Sequence, residues 1–185
     1  MSQFEYVAVA FSLVLSFGAV RILNGLSYVL TGEHRYWVHT LWVFVSLANF
    51  AVTWWSFWAA SDVPTWHLGS FLVALLYPAL LYVGAALLVP GDSSRVTQWR
   101  SHFYDVRRSL FLTYLLATVL AWALIGATGA AGSLSPTEMP GVYSFAVIYS
   151  VGLGSKDERA HQVLAVVATV VFLAMYAPSI YLGTV

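Results

Sequence analysis

The sequence predicts an all-α protein, a polytopic bundle of transmembrane helices that forms a single domain over residues 1–185. Two observations predict this class. Of the 185 residues, 60% are hydrophobic and only 9% are charged, whereas soluble domains carry about 25% charged residues. The apolar residues also occur in long runs, separated by stretches rich in turn-forming and charged residues. A water-soluble fold of this size cannot bury so much apolar surface, so the expected solvent is lipid.

Six apolar runs are candidates for membrane-crossing helices, because a span needs about 20 apolar residues. They cover residues 4–30, 36–60, 67–89, 109–129, 140–154 and 162–184. The fifth run, "PGVYSFAVIYSVGLG", is short and interrupted by glycine. We therefore predict six spans, with five spans plus a re-entrant segment as the alternative.

The basic residues predict the orientation of the bundle. With six spans, all of them fall on one side of the membrane: Arg21, Arg35, Arg95, Arg100, Arg107, Arg108, Lys156 and Arg159. Lysine and arginine favour the cytoplasmic side. We therefore predict that the arginine-rich loop 90–108 is cytoplasmic and that both termini lie outside.

Three polar residues inside apolar runs are candidates for a transport path: Arg21, Asn24 and Asn49. Arg21 lies 17 residues after Phe4, roughly 25 Å along a helix. At that depth a long side chain reaches the headgroups as an anchor, or it faces inward with Asn24 and lines a vestibule that favours an anion. Asn49 lies halfway along the second run, where an amide either bonds a neighbouring helix or lines a pore.

A second candidate path is the pentapeptide "SVGLG", formed by Ser150, Val151, Gly152, Leu153 and Gly154. It resembles the filter of potassium channels, in which backbone carbonyls replace the hydration shell of the ion. The order of a helix, a loop, a short helix, this pentapeptide and a final helix also follows the order of a pore unit. The sequence departs from the filter at the residue that precedes the pentapeptide, at Leu153 and at Ser155.

Other chemistry has few candidates. No Ser/His/Asp arrangement lies within a span and cysteine is absent, so we predict that the protein is not an enzyme and has no resident cofactor. His39, His102 and His161 fall towards the cytoplasmic side and are weak candidates for a haem or metal site. The net charge of zero argues against nucleic acid as a partner.

Four segments together resemble an uncharacterised family of small bacterial polytopic inner-membrane proteins. They are "YWVHTLWVFVSLANFAVTWWSFWA", "FLVALLYPALLYVGAALLVPGD", "HFYDVRRSLFL" and "KDERAHQVLAVVATVVFLAMY". The resemblance covers nearly the whole chain and implies a helix bundle in the bacterial inner membrane. It implies no activity and no functional residues.

Three functions follow as hypotheses. The first is a small channel or transporter for an anion or small solute, as a homo-oligomer, because pores in small bundles are often built between protomers. The second is a non-catalytic accessory or scaffold subunit that contacts another membrane protein through a small-residue face of the fourth span. That face consists of Ala123, Gly126, Ala127, Gly129, Ala130 and Gly132. The third is a redox subunit that uses the histidines named above.

Overall fold

A computed structural model describes residues 2–31, 34–128 and 139–182 of the chain, and within these residues all regular structure is helical. Six α-helices follow one another. They are α1 (Gln3–Thr31), α2 (Trp37–Ser56), α3 (Leu68–Leu88), α4 (Trp99–Thr128), α5 (Met139–Gly154) and α6 (Glu158–Leu182). Short 3-10 turns extend α2 over Phe57–Asp62 and precede α4 at Ser93–Arg95. The prediction of an all-helical bundle is confirmed.

Five of the helical segments are long and apolar enough to cross a membrane. They are Gln3–Thr31, Trp37–Asp62, Leu68–Arg95, Trp99–Gly126 and Glu158–Tyr176. Their outward surfaces carry large apolar side chains such as Phe17, Leu72 and Val119, each at least half exposed. An apolar outer surface of this extent is typical of helices that face lipid. The protein is therefore a multi-pass, membrane-embedded helix bundle.

The helices pack in a closed order around the bundle axis. α1 contacts α3, α3 contacts α4, α4 contacts α5, α5 contacts α6, α6 contacts α2, and α2 returns to α1. α2 also contacts α3 and α4, so it leans towards the centre of the bundle. This order surrounds a central space to which every helix has access.

Successive helices run in opposite directions, so the connections α1–α2, α3–α4 and α5–α6 meet at one end of the bundle. At this end Trp99 Nε1, in the first turn of α4, donates to the carbonyl of Tyr28 in α1 at 3.2 Å. There too, Arg100 forms an ion pair with Glu158 at the start of α6, with an N···O distance of 2.7 Å. We call it the arginine end, because the basic residues lie towards it.

α5 runs alongside α4 and does not turn back. Near its start, the Tyr143 ring lies 4.5 Å from that of Trp122. Near its end, Gly152 lies so close to Phe111 that a Cβ at this position would be 2.8 Å from the ring. Sixteen residues span about 24 Å of helix, shorter than the other five helices but continuous to the arginine end. The described residues therefore form six helices, of which five are long and apolar enough to span a membrane and α5 is a shorter apolar helix that does not turn back.

α4 begins ten residues earlier than the predicted span at 109. Residues 99–108 contain both charged and apolar side chains, which hid the helix in the hydropathy pattern. Buried and exposed side chains alternate here with a helical period: Phe103, Arg107 and Leu110 are buried, whereas Asp105 and Arg108 are exposed. An amphipathic first segment of this kind continues the helix of the span.

Candidate functional site

A cavity of about 280 Å³ lies between the helices, in the half of the bundle away from the arginine end. Every helix contributes to its lining. The contributors include Phe11 of α1, Asn49 of α2, Tyr77 of α3, Tyr114 of α4, Tyr149 of α5 and Phe172 of α6. A concave space shared by several helices is the usual place for a ligand site in a bundle. This cavity is the candidate functional site, and we call it the central cavity.

A polar stripe of α2 faces the central cavity. Ser46, Asn49, Thr53 and Ser56 all line the space. Their spacing of three, four and three residues places them on one face of a helix. Two members of the stripe bond tyrosines of other helices: the Ser46 and Tyr114 hydroxyls lie 2.6 Å apart, and those of Thr53 and Tyr77 lie 3.4 Å apart.

The remaining wall is mainly aromatic. The rings of Tyr114 and Tyr149 are 5.4 Å apart between centroids, and Tyr149 also lies 6.2 Å from Trp42. On the opposite side, Phe11 stacks on Phe57 at 4.0 Å. None of the described residues that line the cavity carries a charge. Burying an unpaired charge in such surroundings is strongly unfavourable, so the cavity suits an uncharged ligand.

The end of α3 lies buried in the other half of the bundle, where Pro90 stops the helix. Proline has no N–H to donate, and the last carbonyls of any helix need partners from outside it. Three side chains from three other helices supply them, each at 2.9 Å: Arg21 Nε donates to Val89 O, His39 Nε2 to Leu88 O and His102 Nε2 to Leu87 O. The end of α3 is thus held by α1, α2 and α4 together.

The end of α5 has a similar arrangement. Arg107 of α4 is only 5% exposed, and its Nη1 donates to the carbonyls of Gly152 and Leu153 at 3.4 Å and to that of Ser155. His161 Nε2 of α6 donates to the same Ser155 carbonyl at 3.1 Å. Arg107 and His161 therefore hold the end of α5 as Arg21, His39 and His102 hold the end of α3. We call these five side chains the capping residues.

The pentapeptide Ser150–Gly154 is part of this capped helix end, which corrects the filter interpretation. All five residues are α-helical, and the Val151 carbonyl accepts from the Ser155 N–H at 2.9 Å. A filter needs extended backbone with carbonyls aimed at a common axis. Here the carbonyls point along the helix and two of them are bonded by Arg107. They do not line the central cavity.

The three predicted path residues are not brought together. Asn49 lines the central cavity, whereas Arg21 caps α3 and Asn24 is exposed on the outer surface of α1. The sequence left two interpretations of Arg21, an anchor in the headgroups or an inward-facing side chain. Arg21 does face inward, but it bonds the Val89 carbonyl and does not line a vestibule. Arg21 was the basis for predicting an anion, and none of the described residues that line the cavity carries a positive charge.

The three histidines lie around Phe103. Its ring is 6.5 Å from that of His39 and 5.4 Å from that of His161, while His39 lies 5.9 Å from His102. Each histidine uses Nε2 to cap a carbonyl. Among the residues that the structure describes, no group of three or more His, Cys, Asp or Glu side chains could hold a metal ion.

The predicted small-residue face of α4 is only partly described. Ala123 and Gly126 are exposed. Gly129, Ala130 and Gly132 lie outside the described residues, as does the side chain of Ala127.

The sequence analysis did not identify Ser46, Thr53 and Tyr114 as cavity residues. The helical spacing of polar residues in α2 was a usable signal for Ser46 and Thr53. The sequence contains no such signal for Tyr114, because tyrosine is equally common at membrane surfaces.

In comparisons with protein-family models, curated proteins and solved structures, no match to this chain was found. The resemblance to a bacterial inner-membrane family therefore stays a prediction. The central cavity and the capping residues are the features from which a function can be inferred.

Proposed function

We propose that this membrane-embedded protein is a carrier for small uncharged solutes, and that the central cavity is its binding site. The observation that supports the proposal most is the neutral lining of a cavity to which all six helices contribute. Of the two solute classes that the sequence suggested, an anion or a small solute, the lining favours the uncharged one. The chain carries out no covalent chemistry in this proposal.

A carrier explains the closed half of the bundle better than an open channel does. Between the cavity and the arginine end, Phe103, Phe111 and His161 are fully buried. A channel needs a continuous polar path, whereas a carrier exposes its site to one side at a time. We place the arginine end in the cytoplasm of a bacterial cell, because basic residues favour that side of the inner membrane.

The proposal does not require the homo-oligomer that the sequence suggested. A pore between protomers would need a polar path along the outer surface of the bundle. The polar stripe of α2 and the tyrosines that it bonds lie instead inside one chain, around its own cavity. In this proposal one chain supplies the whole site, and a second copy is not needed to complete it.

Counterflow in proteoliposomes tests the proposal. Vesicles are loaded with unlabelled benzamide or acetophenone, and entry of the labelled compound is followed by rapid filtration. We expect a transient overshoot, which a carrier produces and an open channel does not. Ala121→Phe, which fills the cavity, should abolish the overshoot, whereas Val119→Phe on the lipid-facing side of the same helix should retain it. Protein-free liposomes set the passive leak of each compound. Absence of an overshoot in the wild-type protein, measured faster than that leak for both compounds, would overturn the carrier proposal.

A second candidate, the accessory subunit, has one observation in its favour. Gly126 is exposed, and among the described residues no atom lies within 4 Å of the place a side chain would take there. Small residues let membrane helices approach closely. If this surface binds a partner subunit, a fixed partner should co-purify from native membranes, and Gly126→Leu should release it.

A further inference from the structure

We propose that the ligand of the central cavity is a small aromatic molecule with an uncharged head group that both donates and accepts hydrogen bonds, as a primary carboxamide does. Asn49 is the residue that selects this head group. The inference rests on the proposed function and names the substrate class of the same site. It follows from which polar groups of the lining are already paired, from the size of the cavity, and from the chemistry of an amide.

Most hydroxyls in the polar stripe and around it have partners. Ser46 is paired with Tyr114, and Thr53 with Tyr77. Thr118, which also lines the cavity, donates to the carbonyl one turn earlier in its own helix at 2.9 Å. These groups are bonded within the protein and offer little to a ligand, whereas the Trp42 Nε1–H, also in the wall, is buried with no hydrogen-bond partner among the described residues.

The Asn49 amide differs from Ser46 and Thr53, the stripe residues on either side of it. Among the residues that the structure describes, none forms a hydrogen bond with its side chain, although it lies between the two hydroxyl pairs. The Asn49 side chain is half-buried and forms part of the cavity wall, so a ligand in the cavity can reach it. In a membrane interior an amide without a partner is unfavourable, so this position is suited to a ligand that supplies one.

The chemistry of asparagine defines the head group. Its carboxamide presents one acceptor oxygen and two N–H donors side by side. A ligand carboxamide can bond both at once, whereas a ketone satisfies only the donors and leaves the Asn49 oxygen unpaired. Leaving one buried acceptor unpaired costs about a factor of ten or more in affinity.

The size and walls of the cavity define the body of the ligand. An engineered cavity of about 150 Å³ holds benzene, and the central cavity has about 280 Å³. A benzene ring with a small substituent therefore fits with space to spare. Tyr114, Tyr149 and Trp42 provide ring faces and edges for aromatic contacts. With no charged partner among the described lining residues, burial of a carboxylate is strongly unfavourable, so the proposed head group is uncharged.

Three isosteric probes test the inference directly. Benzamide donates and accepts, acetophenone only accepts, and α-methylstyrene does neither, while all three have nearly the same shape. Their binding to the wild-type protein in lipid nanodiscs is measured by equilibrium dialysis, with empty nanodiscs subtracted to remove partition into lipid. We expect benzamide to bind at least about tenfold more tightly than acetophenone. Equal affinities of the three probes would overturn the assignment of the head group.

Two asparagine variants locate the selection. Asn49→Leu should bring the affinities of benzamide and acetophenone to within about twofold of each other while α-methylstyrene still binds, which also shows that the variant is folded. Asn24→Leu, on the outer surface of α1, should leave the tenfold preference unchanged. A preference that survives Asn49→Leu would overturn the role of Asn49, and the wild-type series tests the head group even if this variant does not fold.

The outcomes separate this inference from the proposed function. If all three probes bind equally and Ala121→Phe removes their binding, the cavity is a binding site but the head-group assignment is wrong. If no probe binds the wild-type protein above empty nanodiscs, both the inference and the proposed site are wrong.

Discussion

Polar side chains have different roles in the two halves of the bundle. In the half towards the arginine end, the capping residues are directed at helix-end carbonyls, at distances of 2.9 Å for α3 and with Arg107 and His161 converging on Ser155 for α5. In the other half, the polar side chains that line the central cavity are neutral and surround a space. There two hydroxyl pairs join helices, Ser46 with Tyr114 and Thr53 with Tyr77, while the Asn49 amide and the Trp42 Nε1–H have no hydrogen-bond partner among the described residues.

This difference shows that buried arginine and histidine side chains hold helix ends in this protein, whereas neutral side chains line the candidate site. A helix that ends inside an apolar bundle leaves carbonyls without water, and each must find a donor. Arginine and histidine reach across from neighbouring helices and provide that donor. A cavity for an uncharged molecule, by contrast, needs groups that impose no charge.

Arg107→Leu should have the largest effect on stability. It leaves the end of α5 with carbonyls that have lost a charged donor inside the bundle, and hydrogen bonds to charged groups contribute about 1.5–3 kcal/mol each. We expect a loss of about 3 kcal/mol in the free energy of unfolding, measured by denaturant titration in mixed micelles. Arg108→Leu is the matched control, because Arg108 is the exposed neighbour on the same helix. Equal losses for the two variants would refute the difference between capping and surface arginines.

Arg21→Leu should have an intermediate effect and separates capping from transport. Arg21 is half-buried and makes one bond to Val89, so we expect a loss of about 1 kcal/mol. Binding of acetophenone should not change. Arg35→Leu is the control, since Arg35 also donates to a carbonyl, that of Leu30 at 3.1 Å, but in an exposed position. A loss of binding with stability intact would return Arg21 to the transport path.

Asn49→Leu should have the smallest effect on stability and the largest on selectivity. Because the amide has no partner among the described residues, an apolar side chain of similar size removes no hydrogen bond. We expect the free energy of unfolding to stay within about 0.5 kcal/mol of the wild-type value, measured in the same titration. A loss of about 2 kcal/mol or more, the upper range for an interhelical bond, would show that Asn49 is a packing residue.

The limits of sequence reasoning are visible in α4 and α5. The start of α4 was missed because a hydropathy run ends where charges begin, although its period continues through Phe103 and Arg107. The pentapeptide at the end of α5 matched a filter by residue type. In the structure this segment is the end of a helix that packs through Gly152 against Phe111 and is capped by Arg107, contacts that are not local in the sequence.

The residues of the candidate site were predictable from the sequence only in part. Asn49 can be identified from the sequence, because placing an amide halfway along an apolar helix is energetically unfavourable unless it finds a hydrogen-bond partner. Tyr114 and Tyr149 do not stand out, because a tyrosine in a membrane helix is equally suited to the surface or the interior. Arg21 stands out by its charge, but the carbonyl that it bonds lies 68 residues further along the chain.

Composition and the length of the apolar runs determined by themselves that this chain is a membrane-embedded helix bundle, since burial of so much apolar surface requires lipid whatever the packing. The tertiary structure decided what each polar residue does. Hydrogen bonding to a helix end or exposure to a cavity depends on which helices are neighbours, and the periodicity of one helix does not contain that information.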